Sequence, residues 1–202
     1  MDLLALARRD LEVVEWSTDM ATKLLDGDEE GYEVFVRSMW ADTVRACRLI
    51  LGDTQDAEEA AQDAFVSVYY YRHTLRQPEK ARSWFYQILV HCARKTWRKK
   101  QSRVRSREEP LHENFRQADA TEEIILGLAM DEALASLPET ERMVTVLSYY
   151  CNVTDREGAA ATGCPLGTYK WRKARALRKL AKLLGDQWPN EKKLREEGVT
   201  HA

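Results

Sequence analysis

One stretch constrains this chain more than any other: NVTDREGAAATGCPLGTYKWRKARALRKLAKLL, residues 152–184. Thr154-x-x-Glu157 is a capping box, in which side chain and backbone satisfy each other's open donors at a helix start. Gly163 stops that short helix, and Pro165 suits the start of another, because its fixed φ and missing N–H fit a first turn. Leu166, Tyr169, Leu177, Leu180 and Leu184 make an inward stripe at helical spacing. Thr168, Trp171, Arg172, Arg175 and Lys179 face the other way. A short helix, a Gly turn and a longer helix with a basic front predict a helix-turn-helix, with its second helix sized for a DNA major groove.

The rest of the chain is helical in pattern as well. No segment alternates apolar and polar residues, and no Asn-Gly or Asp-Gly hairpin signal occurs between such segments. Residues 1–25 read as a helix broken at Gly27. Tyr32, Phe35, Val36, Met39, Trp40, Val44 and Cys47 line a second helix, about 31–51, with Gly52 at its C-terminal cap. Asp53 and Thr54 can cap a third, which runs to about Arg72 with acids in its first turns. Ser83 can cap a fourth from Trp84 to about Lys100, with Trp84, Phe85, Ile88, Leu89 and Cys92 as its core stripe. Gln87, His91, Arg94 and Arg98 share another face of it. Residues 101–120 lose the periodicity and contain Pro110, as a linker would. Thr121 can cap a helix to about Ser136, and Leu137-Pro138 opens another through Tyr150 that buries Met143, Val144, Val146 and Leu147.

Charge is divided unevenly. The net charge is only −2, yet His91–Arg107 holds eight Lys/Arg and no acid, and Tyr169–Lys182 holds seven and no acid. Between them, Glu108–Glu141 carries ten acids against one base. Two basic blocks, each closing a helical segment, predict two nucleic-acid contacts. With 202 residues, 44% apolar and 32% charged, the chain has room for two small folded domains. The N-terminus, MDLLALARRDLEVVEW, is unlike a signal peptide, and no run is long and apolar enough to cross a bilayer, so a cytoplasmic protein without membrane insertion is expected. Cys47, Cys92, Cys151 and Cys164 lack zinc spacing and read as small core side chains. His73, His91, His112 and His201 are scattered, and no Gly-x-x-x-x-Gly-Lys loop is present. No catalytic residue, metal or cofactor is expected.

These motifs together resemble a bacterial extracytoplasmic-function (ECF) sigma factor, over roughly residues 22–184. LILGDTQDAEEAAQDAFVSVYYY is similar to the family's core-binding segment, and ARSWFYQILVHCARKTWRKKQSR to its promoter-melting and −10-reading segment. LPETERMVTVLSYY followed by GCPLGTYKWRKARALRKL is similar to region four. The resemblance implies an all-α protein of two small domains, a region two bundle and a region four helix-turn-helix, joined by a flexible linker. The expected division is an N-terminal extension 1–21, region two at 22–101, linker 102–120, region four at 121–184 and tail 185–202.

It also implies roles. Asp56, Glu59, Gln62, Asp63 and Phe65 would dock on the β′ clamp helices of core RNA polymerase. Arg76, Lys80 and Arg82 of the loop, with Gln87, His91, Arg94 and Arg98, would engage the −10 element, the loop holding an unpaired base. Trp84 and Phe85 are assigned to the core. Thr168, Lys170, Trp171, Arg172, Arg175 and Lys179 would read the −35 duplex, with region four near the β flap. The acidic linker would lie along the cationic RNA-exit path. An anti-sigma factor is the expected regulator. The rival reading is a stand-alone helix-turn-helix regulator, which leaves the first basic block unused. Gly158 and Ala161 stand where the family has large aliphatics, and so predict a looser helix-turn-helix. Trp171 stands where a small polar residue is usual.

Overall fold

A computed structural model describes residues 22, 24, 29–106 and 122–185. The expected N-terminal helix, the cap at Thr121, the acidic segment up to that residue and the C-terminal tail lie outside the described residues, apart from positions 22 and 24. Among the described residues every regular element is helical. Helix α1 is Glu29–Leu51, α2 is Thr54–Tyr71 and α3 is Ala81–Ser106. They are followed by α4, Glu122–Ala135; α5, Glu139–Thr145; α6, Asp155–Thr162; and α7, Leu166–Leu184. Short 3₁₀ turns at Arg72–Thr74 and Pro78–Lys80 join α2 to α3, and α5 runs on into a π-helical turn, Val146–Tyr150.

Local signals act where the sequence puts them. The Asp53 carboxylate accepts from the Asp56 amide at 2.8 Å and caps α2. Gly52 takes φ +71 after α1, and Gly163 takes φ +64 after α6, a region open to Gly at little cost. The Thr154–Glu157 capping box forms in full. Three boundaries differ. Helix α3 begins three residues earlier than expected and extends to Ser106, so Ser83 lies inside it and donates to the Lys80 carbonyl instead of capping. Pro138 is the residue before α5 and not its first.

The α1–α3 half is built around aromatic rings. Phe35 meets Phe65 at 5.8 Å and Phe85 at 5.5 Å, edge to face, while Trp40 stacks on Phe65 at 5.7 Å. Such pairs add about 1 kcal/mol each beyond the area they bury. Phe85 is in the core, as expected, and Trp84 is partly buried against it. In the α4–α7 half, Met143, Val144, Val146 and Leu147 are buried against Tyr169, Ala176, Leu180 and Leu184 of α7. Leu166, expected inward, is exposed at the start of α7, and Ala176 takes a buried place on the stripe.

The missing side chain at Gly158 has a cause that sequence reading took for weakness. A Cβ there would run into the ring and hydroxyl of Tyr169, which is fully buried. The phenol hydroxyl lies 2.9 Å from Ser148 Oγ and donates to the Val144 carbonyl at 3.3 Å. The volume of a large aliphatic on α6 is supplied by Tyr169 from α7. The expected looseness is therefore not what the packing shows.

The two halves share one hydrophobic core, which runs from Leu24 to Leu184 and includes residues of both. Helix α6 lies on α3, and the π-turn, α4 and α5 touch α1. Arg142 sits at this junction, 5% exposed. Its guanidinium donates to the carbonyls of Ile50 (3.3 Å), Leu137 (3.2 Å) and Ala135, and lies 5.5 Å from the Trp97 ring centre.

Candidate nucleic-acid interface

The three acids of α2 expected to dock are already paired. Asp63 pairs with Lys95 at 2.9 Å, Glu59 with Lys99, and Asp56 with Lys100 at 3.3 Å. The pairing runs in opposite directions along the two helices, as antiparallel neighbours require. The carboxylate of Asp63, by hydrogen bond and then by charge, holds the Lys95 ammonium above its ordinary pKa. Three cations of the first basic block are thereby directed at α2. Phe65, expected to dock, is 3% exposed and belongs to the aromatic core. Gln62 is exposed, and so are Glu58, Val66, Tyr69 and Tyr70 at steps of three and four along the same helix. Sequence reading missed this stripe, although its spacing was legible.

On α3, Gln87, His91 and Arg98 are exposed, as are Arg76 and Lys80 in the preceding loop. Arg82 and Arg94 are engaged elsewhere. Arg82 donates to the carbonyls of Cys151 (3.0 Å) and Asn152 (2.5 Å), and Arg94 donates to that of Thr162 (2.9 Å).

Helix α7 shows its outward face clearly. Lys170, Trp171, Ala174, Arg175 and Arg178 are exposed, while Thr168, Arg172 and Lys179 are half-buried. Glu141, with its side chain 5% exposed, pairs with Arg175 at 3.2 Å and with Lys179 at 2.8 Å. The Arg175 guanidinium also lies 5.1 Å from the Trp171 ring centre. Lys173 pairs with Asp155 of α6. Arg178 was not singled out from the sequence, yet it stands on the open face one turn beyond Ala174.

Three of the four cysteines are shielded by burial. Cys47 and Cys92 are buried, and burial pushes both thiols up; Cys151 rises to about 12 for the same reason. Such thiols are poor nucleophiles at neutral pH. Among the described residues no group of three or more His, Cys, Asp or Glu side chains is placed to hold a metal ion, and no helix is long and apolar enough to cross a membrane.

One helical unit ends in a helix-turn-helix with a cationic second helix, and the other in a long basic helix beside an acidic one. Residues 36–103 match the family model for Sigma-70 region 2, and residues 127–180 match that for Sigma-70, region 4. The ECF RNA polymerase sigma factor SigM of Mycobacterium tuberculosis is 28% identical over 159 residues, covering 79% of this chain and 80% of the relative. RNA polymerase sigma factor SigV of Bacillus subtilis is 30% identical over 123 residues, covering 61% and 72%. The solved sigma factor RpoE, in complex with the anti-sigma factor NepR from Bartonella quintana, matches with a TM-score of 0.65 at 20% identity, covering 76% of this chain and 98% of that one. The chain belongs to the ECF sigma factors of the sigma-70 family. Sigma factors direct RNA polymerase to promoters and are not enzymes.

Proposed function

We propose that this chain binds core RNA polymerase through the exposed stripe of α2 and brings it to promoters by two DNA contacts. The docking surface is centred on Gln62 with Glu58, Val66, Tyr69 and Tyr70, where exposed apolar side chains beside polar ones suit a protein partner. Glu59 and Asp63 contribute from their lysine pairs at its edge. The −35 duplex meets Lys170, Trp171 and Arg178, with Arg175 supporting the indole from behind. The −10 strand meets Arg76, Lys80, Gln87, His91 and Arg98, and Arg82 and Arg94 once they are released. Melting is driven by binding the displaced strand, with no nucleotide hydrolysis and no catalytic group. The chain acts in the cytoplasm, and an anti-sigma factor restrains it, as one binds the related RpoE.

One observation carries this reading: α7 presents Lys170, Trp171 and Arg178 outward on a helix whose back is sealed by Tyr169, Ala176, Leu180 and Leu184. Its test is transcription in vitro with core polymerase, with start sites mapped across genomic DNA. Defined start sites sharing two upstream elements are expected. A chain that fails to bind core polymerase, yet protects operator DNA by itself, would be the stand-alone regulator instead.

A further inference from the structure

Helix α7 carries an exposed indole, and its neighbours leave room around it. Trp171 is 53% exposed. Gly167 and Ala174, four residues before it and three after, share its face and are exposed as well. Gly167 has no left-handed φ, and a Cβ added to it would meet nothing within 4 Å. Gly costs helix stability relative to Ala, and no packing inside the protein asks for it here. Its use lies outside the chain, because a bare backbone lets a ligand come close. Lys170 and Arg178 are exposed on the same side of α7, so the charge of this face complements a polyanion.

The indole is also held in place. Arg175, one turn on, has its guanidinium 5.1 Å from the Trp171 ring centre, within the roughly 6 Å of a cation–π contact. Arg175 Nε in turn lies 3.2 Å from Glu141 Oε1, and Lys179 Nζ lies 2.8 Å from Glu141 Oε2. A buried carboxylate holds its cations firmly, because a charge left uncompensated away from water is costly. Drawing Arg175 out to a guanine edge would take one of these two cations from Glu141. What α7 offers to base edges is therefore an apolar plane among cations, with the central arginine tied back.

In the major groove the apolar feature of a base edge is the C5-methyl group of thymine. We propose that Trp171 selects thymine in the −35 duplex by laying its indole against that methyl group, and that Arg175 and Glu141 are positioning residues that hold the indole there. The proposal deepens the sigma-factor reading above and rests on it for the identity of the duplex. The choice of thymine follows from the face of α7 alone.

The test uses the full chain, alone and with core polymerase added. Each preparation enriches its preferred duplexes from a randomised pool. In the enriched duplex every thymine is then replaced in turn by deoxyuridine, which removes only the methyl group, and binding is measured by fluorescence anisotropy. For wild type, one or two replacements are expected to weaken binding about fourfold each, the loss for one methyl group returned to water. Trp171→Ala should bring that thymine-to-uracil ratio to about one. Arg175→Ala and Glu141→Gln should lower the ratio toward one while leaving Trp171 present. Each ratio compares two affinities of one preparation, so a chain partly unfolded by the change at buried Glu141 does not alter it. Equal binding of all uracil duplexes by wild type, a ratio that survives Trp171→Ala, or a pool from which neither preparation enriches a sequence would overturn the thymine contact. A full ratio in both Arg175→Ala and Glu141→Gln would overturn the positioning roles. Transcription by the wild-type chain with core polymerase is scored separately: its failure removes the sigma reading, while the uracil ratios of the chain alone still decide the indole contact.

Discussion

The two basic helices look alike as sequences and differ in what their charges do. In α3, Lys95, Lys99 and Lys100 are paired with the acids of α2, and Arg82 and Arg94 with the backbone of the other half, which leaves Arg98 outward beside Gln87 and His91. In α7, Arg175 and Lys179 are both drawn to the buried acid Glu141 and Lys173 to Asp155, while Lys170 and Arg178 stay on the open face. A run of cations is therefore not a DNA surface until its partners are known. The α3 helix carries region two's internal pairing and the junction, and the α7 helix keeps its front free.

The largest effect that separates the two should come from Arg142, which belongs to neither basic run. Arg142→Ala leaves the carbonyls of Ile50, Ala135 and Leu137 without their buried donor and should cost about 3 kcal/mol or more, at about 1–3 kcal/mol per stranded group. Urea unfolding measures it, and a loss below about 1 kcal/mol would mean that water replaces the guanidinium. Next comes the packing of α6 on α7. Gly158→Ala drives a Cβ into Tyr169 and should destabilise by about 1–3 kcal/mol, with Tyr169→Leu recovering part of it in the double variant. An additive double variant would show that the two positions do not share the same space.

Glu141 gives the sharpest test of the comparison. Glu141→Gln frees Arg175 and Lys179, and anisotropy on −35 duplex should show binding with a salt slope steeper by about one unit for each new phosphate contact. Lys170→Ala should make the slope shallower by about one unit. If Lys95→Ala changes the salt slope for the −10 strand as much as Lys170→Ala does for the duplex, the pairing of Lys95 with Asp63 does not keep it from DNA, and the contrast fails.

The smallest effect is in alkali. Burial, and then Asp155, raise the Tyr149 hydroxyl from 10.0 to about 12. A group whose folded pKa lies above its unfolded value contributes stability that is complete below the unfolded value and is lost as pH rises through the folded one. Thermal melts should therefore weaken between pH 10 and about 12, and Tyr149→Phe should flatten that part of the curve. A variant with an unchanged alkaline slope would assign the loss to other groups.

Much of the fold was legible before any coordinates. The Asp53 cap, the Thr154–Glu157 box, the glycines at 52 and 163 and the break at Pro138 act over three or four residues, so spacing alone reveals them. The outward face of α7 was partly legible, since Lys170, Trp171 and Arg175 were placed on it, but Arg178 was passed over and Lys179 was taken as open. Phe65 was misread because an exposed and a buried aromatic look the same on a stripe whose neighbours Val66 and Tyr69 are also apolar. The space left by Gly158 could not be understood without Tyr169, eleven positions on and across a turn.

The sequence by itself determined the helices, their caps, the two units and the sign of charge along each, because those depend on residues one to four positions apart. Only the tertiary structure decided which charges are available. Lys95 meets Asp63 across 32 positions, and Arg94 meets Thr162 across 68. Such partners are chosen by how helices pack. A cation is drawn to whatever acid or open carbonyl the packing places within about 3 Å, and no local pattern records that choice.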